Sequence, residues 1–161
     1  MYEEEHDRAI YEEAFGHAVA FAADGLRAER AIVTYSGNGR LYNLQASTLW
    51  TSEPISLSIL RSLVESAEPR VLVDILKQTS GHPTSVMLAG IISILFVPIR
   101  SGGGEVCGFY YLDNRVRRGA FQEKDLKQLE AVVTGRLEPL LQETGACRPM
   151  TWELLLKTCW L

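Results

Sequence analysis

Two neighbouring stretches, Ile91–Ile99 and Val106–Leu112, are strongly apolar, and their apolar residues fall on odd and even positions alike. A half-wet strand would alternate, so both read as central strands covered on two faces. Between them, Ser101-Gly-Gly-Gly104 supplies the backbone freedom for a reversal and makes the pair a hairpin. Two adjacent strands buried on both sides require a layered sheet around them.

The remaining periodicities supply the layers. From residue 3 to about residue 28 there is no proline, and Tyr11, Phe15, Ala18, Val19, Ala22 and Leu26 recur near one helical face. Ala31–Tyr35 reads as a strand, Ser36-Gly-Asn-Gly39 as a turn and Leu41–Ala46 as the hairpin partner. That partner mixes polar and apolar residues on both parities, which suits a strand at or near the sheet edge. Ser56 is placed to N-cap a helix over Leu57–Ser66, with Ile59, Leu60, Leu63 and Val64 as its apolar stripe and Glu68-Pro69 as its stop. Val71–Ile75 is a short strand and Lys77–Ser85 a polar loop, after which Pro83 or Thr84 starts a short helix through Leu88. Phe121–Thr144 is the last long helix, apolar at Leu126, Leu129, Val133, Leu137, Leu140 and Leu141. Pro139 is expected to kink or loosen it.

Composition narrows the function classes. With 161 residues and 47% hydrophobic content, the chain suits one domain with a real core plus flanking helices. Lys and Arg number 16 against 20 Asp and Glu, a net charge of −4. The folded body therefore has no electrostatic case for nucleic acid. The basic run Asn114-Arg-Val-Arg-Arg118 reads as a solvated loop. Three widely spaced cysteines, Cys107, Cys147 and Cys159, form no metal-ligand pattern, and Cys107 reads as a small buried hydrophobe inside its strand. The spacing favours a reducing cytoplasm. No apolar run approaches the roughly 18–20 residues that cross a bilayer. His6, His17 and His82 have no nucleophile or carboxylate at a catalytic spacing, and Gly102-Gly-Gly-Glu105 lacks the Lys-Ser/Thr of a phosphate loop. Catalytic and metal-ligating residues are therefore assigned to none.

The element order, helix, hairpin, helix, strand, loop, helix, hairpin, helix, resembles that of GAF domains over roughly Ala22 to Val133. The likeness is carried by Ser93-Ile-Leu-Phe-Val-Pro-Ile99, Gly108-Phe-Tyr-Tyr-Leu-Asp-Asn114, Gly119-Ala-Phe-Gln-Glu-Lys-Asp-Leu126 and Pro69-Arg-Val-Leu-Val-Asp74. It implies an α/β (α+β) fold, a central antiparallel sheet of five to six strands with helices on both faces. A subset of the family binds cyclic nucleotides through an Asn-Lys, Phe, Asp-Glu signature. Asn114, Arg115, Phe121 and Asp125 stand at those positions, but Arg replaces Lys and Leu126 replaces Glu. Structural roles suffice for them: a turn at Asn114, a core plug at Phe121, an Arg115–Asp125 pair.

The resemblance implies a non-catalytic regulatory or sensory domain of bacterial signal transduction or transcription regulation. A small molecule or partner would bind between the sheet and the segment covering it, and the terminal helices would relay the event and form a homodimer. Ser56, Asp74, His82, Thr84, Ser93 and Tyr110 are the candidate polar contacts, since small-ligand pockets are apolar with a few convergent polar groups. The cofactor is unknown. The alternatives are a small redox enzyme of the free methionine sulfoxide reductase kind, against which the lack of cysteine before Val106 speaks, and a pure dimerisation scaffold. Residues 1–145 form the sensory domain in this reading, and residues 146–161 a helical extension. Its Pro149–Leu161 resembles the first helix of a helix-turn-helix and does not by itself read DNA. The uncapped acidic start and the abrupt tail read as a piece of something longer.

Overall fold

A computed structural model describes residues 30–37, 40–47, 57–72, 93–102, 104–114 and 121–144, with single positions at 9, 12–13, 15–17, 26, 28 and 150. Side chains at 37, 40–47, 57–59 and 143–144 are not among those described. Of the sequence expectations, Ser56, Asp74, His82 and Thr84 lie outside these residues, as do the 77–85 loop, the 83–88 helix, the 115–118 run and the 151–161 tail.

Among the described residues, five strands form one antiparallel sheet in the order β2-β1-β5-β4-β3. They are β1 (Arg30–Gly37), β2 (Arg40–Ser47), β3 (Arg70–Leu72), β4 (Ser93–Arg100) and β5 (Val106–Asn114). The two apolar stretches are β4 and β5, paired from Ser93↔Asn114 to Arg100↔Val106, and β5 lies at the centre of the sheet. The hairpin turn closes through Ser101 N–H to Glu105 C=O and Gly104 N–H to Ser101 C=O, with Gly104 at φ 85°. Among the described strands β2 is an outermost one, where its mixed pattern suits it.

Each face of the sheet carries its own core. One is covered by helical residues at the N-terminal end, including Phe15, and by the C-terminal helix. That helix runs as α2 (Glu123–Val132), a π-helical turn (Val133–Leu137) and α3 (Glu138–Thr144). Ala31, Val33, Tyr35, Leu95, Val97, Ile99, Tyr110 and Leu112 meet Phe121, Leu126, Leu129, Val133, Leu137 and Leu141 there. Phe15 stacks on Tyr35 with ring centroids 4.7 Å apart. The other face is covered by α1 (Leu57–Ser66), whose Leu60 and Leu63 pack with Ile32, Ile94, Phe96, Phe109, Tyr111 and Met150. Fully burying a Leu or Phe side chain stabilises by about 1.5–3 kcal/mol, so both layers contribute heavily.

Two local features depart from the sequence reading, at the N-terminal helix and at Cys107, and one at Asp125 adds to it. The N-terminal helix does not reach residue 28, because Leu26 lies in a turn and Ala28 in irregular chain. Asp125 accepts the Gln122 N–H at 2.8 Å, half of a helix-start box. Cys107 is disulfide-bonded rather than a plain buried thiol. A register shift at Ile99/Arg100 makes Cys107 the extra residue of a bulge, which turns it toward the terminal-helix core while Val106 packs at the α1 core.

The π turn has a chemical reason. Pro139 brings no N–H, and its ring would collide with the carbonyl four residues back in a regular helix. The widened turn ends beside it, with the Glu138 N–H donating to Val133 C=O, five residues back. Among the described residues, no helix is long and apolar enough to cross a membrane.

Candidate functional site

The α1-covered face is built from alternate residues of the three inner strands. Arg30, Ile32, Thr34 and Ser36 share that side of β1, Phe109, Tyr111 and Asp113 that side of β5, and Ile94 and Phe96 that side of β4. Phe96 and Phe109 stack with centroids 5.6 Å apart. β5 approaches β1 closely only because residue 108 is glycine: a Cβ there would lie 2.2 Å from the Thr34 carbonyl oxygen.

At the end of this face where β1 begins and β5 ends, a charge pair is buried. Arg30 stands directly opposite Asp113 in the antiparallel register. Its Nε and Nη2 both donate to Asp113 Oδ2, at 3.2 and 2.6 Å, and the Tyr111 hydroxyl donates to the same oxygen at 2.7 Å. The side chains are 2% and 0% exposed, so solvent screens the pair little. Burial pushes the Tyr111 hydroxyl well above the ordinary tyrosine range, and the Asp113 carboxylate adds to the shift. Tyr111 therefore stays protonated and remains a donor. The arrangement is a polar corner on an aromatic and aliphatic floor. Among the described residues, no group of three or more His, Cys, Asp or Glu could hold a metal ion.

Of the six candidate contacts, Ser93 and Tyr110 are described. Both are fully buried. Tyr110 belongs to the terminal-helix core, and Ser93 shares the side of Leu95, Val97 and Ile99, so neither faces α1. The tyrosine on the α1 side is Tyr111. Burial raises the Tyr110 hydroxyl as well. Sequence reasoning passed over Arg30, Tyr111 and Asp113. Arg30 follows Arg27-Ala-Glu29 and reads as helix-end surface charge; only strand register shows its partner.

A central antiparallel sheet with terminal helices on one side and a short helix over a polar-cornered floor on the other defines a small α+β module. The chain belongs to the GAF domain family, whose model matches residues 11–134. Among curated proteins, none matches the chain in sequence. Solved structures share its fold at low identity. The GAF domain region of a Geobacter sulfurreducens protein is 17% identical at TM-score 0.67, over 88% of this chain and 99% of that one. Type II free methionine-R-sulfoxide reductase from Thermoplasma acidophilum is 16% identical at TM-score 0.63, over 85% and 96%. The PixJ GAF domain of Thermosynechococcus elongatus, in its blue-light absorbing form, is 18% identical at TM-score 0.59, over 86% and 93%.

Proposed function

We propose that this chain is a non-catalytic GAF regulatory module of bacterial signal transduction or transcription regulation. A small molecule or partner acts on the α1 side of the sheet, and the terminal helices carry the response to a homodimer partner and an attached output. The single observation that supports this reading is the separation of the two cores. The floor beneath α1 holds the buried Arg30–Asp113–Tyr111 corner, and the opposite core holds the terminal helices. A ligand that shifts the first layer has the sheet as a rigid lever to the second. Native mass spectrometry of the purified chain tests the ligand. A retained small molecule, lost on Arg30→Met substitution, is expected; an empty spectrum under gentle conditions overturns the ligand-binding part. Sedimentation equilibrium tests the dimer, which a clean monomer at high micromolar concentration removes.

The disulfide at Cys107 favours a second reading, a thiol redox enzyme like the sulfoxide reductase above. Against it, Cys107 turns to the terminal-helix core, away from the floor under α1. Turnover of free methionine sulfoxide that disappears in Cys107→Ser would establish that reading instead.

A further inference from the structure

Arg100 closes β4, and its polar groups leave the strand for three different elements. The backbone N–H donates to Glu138 Oε1 at 3.0 Å, where the π turn passes into α3. Nη1 donates to the Gly104 carbonyl in the hairpin turn at 3.0 Å, and Nη2 to the Ala67 carbonyl just beyond α1 at 2.6 Å. One residue thus grips the C-terminal end of the helix over the α1 face and the junction in the terminal helix.

One grip falls on backbone away from its ordinary minimum, and the other on the carboxylate of the residue that follows a π turn. Ala67 has φ 54°, the one positive φ at a non-glycine among the described residues. The π turn bonds five residues back rather than four, and such turns interrupt α-helices at functional sites.

We infer that Arg100 is a positioning residue that couples α1 to the terminal helix at Val133–Glu138. A displacement of the α1 end pulls on the guanidinium. The strand end follows, and the carboxylate of Glu138 loses or gains its backbone donor. The direction of the signal rests on the sensor reading above. The coupling itself belongs to this chain and needs no ligand, so the two can fail separately.

The test is amide hydrogen exchange on the full chain, with β5 amides as the reference for global opening. Leu60→Ala loosens α1 from the sheet, and Leu60→Val replaces it if the alanine variant does not fold. With Arg100 present, the substitution is expected to speed exchange at 57–66 and, by about threefold or more, at 133–144. With Arg100→Met, exchange at 57–66 still rises while 133–144 stays at its starting rate. Glu138→Ala removes the response at 133–144, and Glu138→Gln, which keeps an acceptor oxygen, retains it. An equal response at 133–144 in the Arg100→Met background, or none when Arg100 is present, overturns the inference.

Discussion

Arg30 and Asp113 lie 83 residues apart in sequence, and two guanidinium donors of Arg30 meet one carboxylate oxygen of Asp113. Removing one partner leaves the other charge buried alone, so Arg30→Met or Asp113→Ala is expected to cost about 3–5 kcal/mol in urea denaturation. The triple variant Arg30→Met, Tyr111→Phe, Asp113→Leu should recover most of that loss, because replacing every member of a buried polar cluster with apolar groups is often neutral, whereas Asp113→Leu alone would strand the Tyr111 hydroxyl. At Gly108 the obstacle is steric. Gly108→Ala puts a methyl group into the Thr34 carbonyl, and β1 must shift; overpacking of this kind costs about 1–3 kcal/mol or more. Chemical denaturation with circular dichroism reads both effects.

The elements differ in how openly the sequence declares them. Leu57–Ser66 matches its helix at both ends, because a stripe every three or four residues and a Glu68-Pro69 stop are local signals. The glycine-linked hairpin is equally legible, for turn chemistry and strand composition agree. The facing of its side chains is not. Alternation reveals which side of a strand is wet only when one side is, and β4 and β5 are buried on both. Tyr110 and Tyr111 are thus equivalent in the sequence and opposite in the molecule. The α1 terminus carries its own prediction. Ala67 occupies a left-handed conformation that costs an L-residue about 1–2 kcal/mol, whereas glycine adopts it freely. Ala67→Gly should leave the fold unchanged and raise stability by up to about 1 kcal/mol, read as a higher urea midpoint.

For the whole molecule, the two buried hydroxyls set an alkaline limit. Tyr110 and Tyr111 both titrate above the ordinary 10.0 when folded, so the native chain keeps protons that the unfolded chain gives up. Their contribution is complete below pH 10 and declines as pH rises beyond it, since stability falls wherever the unfolded state binds fewer protons. Urea midpoints measured from about pH 8 to about pH 11 should hold and then drop, and Tyr111→Phe should flatten the drop by about one proton. The alternation of β5 has one more result. Sliding β5 a single step along β1 would exchange the layers of every side chain it carries. Oily neighbours would scarcely register such a mistake, since both layers are oily. Asp113 would, stranded in hydrocarbon without its guanidinium. Correct alignment of the central ribbon is therefore proofread by that ionic contact at one end and by the tight approach at Gly108 further along, and a chain lacking the contact should sample misaligned sheets more often as it folds.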